Sequence, residues 1–186
     1  MPPTKLYLIR HGQPSAGFGE DRDPGLDERG RRQAATVAKE IEPLGPLSLL
    51  TSPLQRARDT AVPFEQMWNC TAQVTQAVAE IPSPTEDLEE RTIWIRQAMQ
   101  GRWSDLPEFY QDWKARLVTF LCSVETSTVI TSHFVAINAA VGVATHDDRM
   151  ICFEPDHCSC TVLEVVDGTL RVVELGQERE TPILAG

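Results

Sequence analysis

Leu6, Tyr7, Leu8 and Ile9 form an unbroken apolar run near the start of the chain. A run of that length without alternation fits a strand buried on both faces. It leads into Arg10-His11-Gly12, and a loop rich in Gly, Pro and Asp follows, QPSAGFGEDRDPG. Ala34, Val37, Ala38 and Ile41 then recur at helical spacing and predict a helix over about 27–42. LSLLTS (47–52) reads as a short strand, with Ser52 capping a helix whose first residue is Pro53. AQVTQAVAE (72–80) alternates as a strand, with Val74, Gln76 and Val78 on one face. SPTE (83–86) has capping-box spacing with Pro84 at the first helical position, which predicts a helix to about 100. A second helix is expected over 105–123. TVITS (128–132) reads as a buried strand leading into a helix over 134–144, and CTVLEVVDGTLRVVEL as a hairpin turning on Asp167-Gly168.

Strands alternating with helices predict an α/β fold, a three-layer α/β/α sandwich. The sheet should be mostly parallel, with helices on both faces and an antiparallel edge supplied by the hairpin. The 186 residues show no repeat and no long linker, so a single domain over 1–186 is expected. Residues 81–126, two helices with no strand between them, are expected to rise over the sheet as a lid.

Composition narrows the partners. A net charge of −10 argues against nucleic acid or an anionic membrane, so an anionic substrate must be met by a local cluster of cations. The five cysteines are odd in number and show no secreted-scaffold spacing, which fits a reducing cytoplasm. MPPTKLYLIR lacks the features of a signal peptide, and the run VAINAAVGVA is about half of what a membrane span requires. The sequence does not indicate an oligomeric state.

Ligands of open α/β sheets bind at the carboxyl ends of the strands. Those ends carry Arg10-His11-Gly12, Thr51-Ser52 with Arg56 just beyond, Glu80, and Ser132-His133. Such a set suits a phosphate monoester. Arg10 and Arg56 offer planar, permanently charged forks that match phosphoryl oxygens. Helix starts after Ser52 and His133 would add backbone N–H donors. A neutral imidazole at His11 can attack phosphorus if its other ring nitrogen is held by a carbonyl, and Gly12 would permit that close approach. Glu80 can protonate the departing alkoxide and then activate water, a role contributing about 10²–10⁴ in rate. Two guanidinium groups supply the positive charge a metal would, so no metal or cofactor is expected. Arg58, about 200° around the helix from Arg56, should point elsewhere.

LYLIRHGQP, GLDERGRRQA, TSPLQRARDTA, the Glu80 strand end and VITSHF stand in an order that resembles the histidine phosphatase superfamily, also called phosphoglycerate mutase-like. The likeness spans about residues 5–165. It implies that fold and a phosphorylated nucleophile at His11. It also implies phosphate binding by Arg10, His11, Arg56 and His133, a catalytic place for His133, and a proton donor at Glu80. Three departures from the family pattern bear on substrate contacts. Phe134 follows His133 where glycine is usual, Glu80 lacks the following Gly-x-x-Glu-Gly segment, and Gly17 stands where mutase-like members place asparagine.

Other features read as structural. CFEPDHCSC (152–160) brings Cys152, His157, Cys158 and Cys160 together without the spacing of structural zinc, and a strand would put Cys158 and Cys160 on one face with Val162. His146-Asp147-Asp148 reads as a solvated loop, and the tryptophans at 68, 94, 103 and 113 as core or lid packing. No cysteine has an arginine six residues later, and neither Gly-x-Ser-x-Gly nor a Gly-Lys-Ser/Thr phosphate loop occurs. The leading expectation is a cytoplasmic, metal-independent phosphatase of small phosphate monoesters. Its rivals are a phosphoglycerate mutase and a non-catalytic module for phosphorylated ligands. Arg91, Arg96 and Arg102 are candidate contacts for a second anionic group of the substrate.

Overall fold

The computed structural model describes residues 3–17 and 19–180. Among them, strands and helices alternate as β1 (Thr4–Arg10), α1 (Glu28–Ile41), β2 (Ser48–Thr51), α2 (Gln55–Trp68), β3 (Gln73–Val74), α3 (Leu88–Met99), α4 (Glu108–Cys122), β4 (Thr128–Ser132), α5 (Phe134–Thr145), β5 (Cys160–Val166) and β6 (Thr169–Glu174). The strands form one sheet in the order β3-β2-β4-β1-β5-β6. β1 to β4 run parallel, while β5 is antiparallel to β1 and β6 to β5. This is the α/β fold expected, with its antiparallel edge where the hairpin was placed. Asp167 and Gly168 have φ of 51° and 73°, the paired left-handed conformation that a two-residue hairpin turn needs.

β1 is apolar over Leu6–Ile9 because that stretch faces two cores. Leu6 and Leu8 pack with Ile130 and the residues of α5, while Ile9 packs with Ala34, Val37 and Phe64 of α1 and α2. Residues 134–142 of α5 are all buried, as its lack of a polar face requires. α4 packs against α5, and Trp103 stacks on Trp113 at 5.8 Å within that layer. No helix among the described residues is long and apolar enough to cross a membrane.

Three local expectations are corrected. The strand over 72–80 shrinks to Gln73–Val74 at the sheet edge, because Thr75 accepts a hydrogen bond from the Ala77 N–H and starts a tight 3₁₀ turn over Gln76–Val78. That turn buries Val78 and leaves Val74 half-exposed, so the two do not share a face. α3 starts later than the SPTE motif suggests. Its cap is Asp87, which accepts from the N–H groups of Glu89 and Glu90, whereas Ser83 caps only its own turn. α2 likewise begins at Gln55, beyond Pro53.

Candidate active site

Strand register assembles the site. β1 and β4 pair Arg10 with Ser132, so His11 and His133 leave adjacent parallel strands side by side, their ring centres 5.3 Å apart. The His11 N–H donates to the Ser132 carbonyl at 2.9 Å, and the Ser52 N–H to the Thr131 carbonyl at 3.0 Å. Ser52 therefore meets His133, with Oγ 2.7 Å from Nε2, and the same Oγ accepts from the Leu54 N–H. His133 Nδ1 is buried with no hydrogen-bond partner among the described residues.

A carbonyl fixes the tautomer of His11. Nδ1 lies 2.8 Å from the Gly12 oxygen, which can only accept, so Nδ1 carries the proton and Nε2 keeps its lone pair. Burial, then the charges of His133, Arg56 and Arg10, hold His11 well below the usual imidazole range, so the ring is neutral at pH 7. Gly12 is required for a different contact from the one expected. A Cβ there would lie 2.6 Å from the Gly30 carbonyl in the first turn of α1, and one on Gly30 would lie 2.2 Å from the Gln13 carbonyl. The loop is also tied to α2, because Thr60 Oγ1 accepts from the Gly12 N–H while donating to the Arg56 carbonyl.

Arg10 and Arg56 are both about 95% buried. Arg10 donates from Nη1 to the Pro155 carbonyl at 2.8 Å and from Nη2 to His157 Nε2 at 3.1 Å, and its Nε has no partner among the described residues. Burial lowers its pKa to about 10, which leaves it charged under all working conditions. Arg56 lies 3.9 Å from Asp23, and burial lowers it against the pull of Glu80 and Asp23.

Glu80 sits two residues beyond the 3₁₀ turn, not at a strand end. The Ser132 hydroxyl donates to the Val78 carbonyl at 2.7 Å and holds that turn against β4. One Glu80 oxygen accepts from the Ile81 N–H at 3.0 Å, the other from the Val135 N–H at 3.4 Å. Burial raises the Glu80 pKa above the usual carboxylate value, outweighing these hydrogen bonds and the arginines.

One amide at each of the expected helix starts is already engaged. The α5 amide of Val135 serves Glu80, and at the start of α2 the Gln55 N–H donates to Asp23 at 2.7 Å. A carboxylate thus takes one amide of each first turn.

Arg10, His11, Arg56 and Glu80 line one cleft of about 560 Å³ together with Phe134, Val135 and His157. α3 supplies Arg91, Thr92, Ile95, Arg96 and Met99 to its far wall, and Arg22 and Gly17 stand on the loop opposite. His133 lies directly behind His11, fully buried. Arg102 is corrected: it is exposed and bridges to Arg149, away from the cleft. Arg58 is exposed, as its angular position requires.

A family model for the histidine phosphatase superfamily, branch 1, matches residues 6–178. The chain belongs to that superfamily. Among curated relatives, the bifunctional protein Rv2228c of Mycobacterium tuberculosis is 42% identical over 65 residues, which cover 32% of this chain and 18% of that protein. A glucosyl-3-phosphoglycerate phosphatase of the same species is 32% identical over 84 residues, 43% of this chain and 38% of that protein. The chain therefore spans less than two fifths of the length of these relatives. The solved structure of a phosphoserine phosphatase from Entamoeba histolytica, in complex with 3-phosphoglyceric acid, superposes with a TM-score of 0.74 at 21% identity, covering 95% of this chain and 98% of that one. It shows the same histidine phosphatase fold.

Sequence reasoning missed His157, whose ring centre is 5.7 Å from that of His11. It also missed Asp23 at the start of α2. β5 begins at Cys160, opposite Ile9, so the residues before it return to Arg10. Cys158 is accordingly not on the strand but in the preceding turn, with φ of 57°, and its N–H donates to the Arg10 carbonyl. The available signal was the antiparallel pairing of the hairpin with β1, which places 155–159 against the Arg10 end of that strand.

Proposed function

We propose that the protein is a metal-independent phosphatase of small phosphate monoesters, acting through a phosphohistidine at His11. The observation that carries this reading is the hydrogen bond from His11 Nδ1 to the Gly12 carbonyl, which leaves an Nε2 lone pair in a cleft lined by two buried guanidinium groups. Nε2 attacks phosphorus in line as the bond to the ester oxygen breaks, and Glu80 gives that oxygen its proton. Water then attacks the phosphohistidine, Glu80 takes back a proton, and inorganic phosphate leaves with His11 restored. Arg10 and Arg56 stabilise the charge on the transferring oxygens at both steps, the service a metal ion gives elsewhere. His133, buried behind His11 with Ser52 at its Nε2, backs the attacking ring.

The cleft volume suits a small metabolite. Beside the proposed phosphoryl position its wall is apolar, through Phe134, Val135, Ile95 and Met99, and Arg91 and Arg96 border it together with Glu20, Asp21 and Arg22, the last paired with Glu86. That pattern supports a leaving group with a short carbon skeleton and a polar or anionic end. α3 forms this wall and is the part of the expected lid that would close on substrate. All five cysteines are free thiols, which supports a cytoplasmic setting.

The test is release of inorganic phosphate from a panel of phosphorylated metabolites, with His11→Ala as the blank. Release from one or more compounds that disappears in the variant supports the reading. Release that persists in His11→Ala, or none from any monoester, contradicts it.

A further inference from the structure

Arg10 is held by a cradle that the chemistry of phosphoryl transfer does not itself require. Residues 155–159 wrap the end of β1: the Arg10 N–H donates to the Ser159 carbonyl, the Cys158 N–H to the Arg10 carbonyl, and the Pro155 carbonyl accepts from Nη1. The last member is a side chain, His157, with Nε2 3.1 Å from Arg10 Nη2. A guanidinium can only donate, so Nε2 accepts, and His157 is a neutral imidazole protonated on Nδ1. Its Nδ1 lies 3.8 Å from Asp156.

The choice of acceptor matters. A carboxylate at this place would fix Arg10 equally well but would neutralise it, and a phosphoryl group would then meet a spent cation. A neutral imidazole fixes the guanidinium without consuming its charge. With Nη1 and Nη2 each engaged and the ring of Phe134 below the guanidinium carbon, Nε is left buried and without a partner among the described residues.

We propose that His157 is a positioning residue, which sets the pose of Arg10 for the phosphoryl group while leaving its charge available to the substrate. The proposal rests on reading the cleft as a phosphoryl site. Burial and the neighbouring Arg10 cation lower His157 to about 3, so it remains an acceptor through the working pH range.

Calorimetric binding of inorganic phosphate tests the proposal without needing turnover. His157→Leu should weaken phosphate binding about tenfold or more, the scale of one hydrogen bond to a charged group. His157→Gln, whose amide oxygen can still accept from Arg10, should stay within about threefold of wild type, and His157→Asp should bind worse than His157→Gln. In an Arg10→Ala background, His157→Leu should have no further effect, because a residue that acts through Arg10 has nothing left to act on. Wild-type binding by His157→Leu, failure of His157→Gln to retain it, or the same loss in the Arg10→Ala background would overturn the proposal. A protein that binds phosphate with this pattern but hydrolyses no monoester would contradict the phosphatase reading and leave the role of His157 standing.

Discussion

The guanidinium of Arg10 lies 5.0 Å from the ring centre of Phe134, and both side chains are buried. A buried cation over an aromatic face is worth about 0.5–2 kcal/mol. The family resemblance leads to glycine after His133, whereas this chain supports its arginine with the Phe134 ring. Replacing it by Leu removes the aromatic face and keeps most of the volume, and should lower kcat/KM several-fold. Phe134→Gly should lower it further, because a cavity is added next to Arg10. Steady-state kinetics on the best substrate checks this, and unchanged kcat/KM in Phe134→Leu would show that the ring face contributes nothing.

Glu80 is expected to be the group whose protonated form limits the first chemical step. Its pKa is raised, so activity should fall as pH rises through that value, later than an ordinary carboxylate would allow. Glu80→Gln should lower kcat about 10²–10⁴-fold on an alkyl phosphate but much less on p-nitrophenyl phosphate, whose leaving group departs without an acid. Equal losses on both substrates would point to a structural role. A protein that only binds phosphorylated ligands would show no turnover for either substitution to change.

Gly30 sets the distance between α1 and the His11 loop. Its Cβ would stand 2.2 Å from the Gln13 oxygen, and neither backbone can yield without moving the His11 loop. Gly30→Ala should therefore lower both melting temperature and activity, although alanine normally favours a helix. A stabilised, fully active Gly30→Ala would refute this packing.

Acid should weaken the fold. His11 and His133 are held well below the imidazole norm by burial, and His157 at about 3. The unfolded chain titrates near 6.5, so below that pH it binds more protons than the folded chain does. Stability is then complete above pH 6.5 and falls as pH drops, by up to about 1.4 kcal/mol per unit for each histidine. Glu80, with its raised pKa, works in the opposite sense but is one group against three. Urea unfolding at pH 7.5, 6.5 and 5.5 measures the slope, and equal stability at 7.5 and 5.5 would contradict it.

The parts of the site that follow from strand order were legible in the sequence. Apolar runs before Arg10 and Ser132 mark buried strands, and adjacent parallel strands must deliver His11 and His133 together. Glu80 reaches the cleft by a route other than the one expected: an alternating segment suggested a strand, yet pairing at the sheet edge lasts two residues and a 3₁₀ turn carries the chain onward. The carboxylate at the start of α2 was hidden because Asp23 reaches it from a loop 32 residues earlier in the chain. His157 was hidden because its neighbour Arg10 lies 147 residues away, joined only by the β1–β5 pairing. Local pattern fixes elements, while contacts across loops depend on register that no single segment encodes.

The most direct test of the account is chemical quench during turnover of a ³²P-labelled substrate, with the labelled residue mapped by peptide analysis. A phosphohistidine is a phosphoramidate, labile in acid and stable in base. The account predicts a base-stable, acid-labile label on His11 that is absent from His11→Ala. A turning-over enzyme that carries no such label, or carries it on another residue, would contradict it.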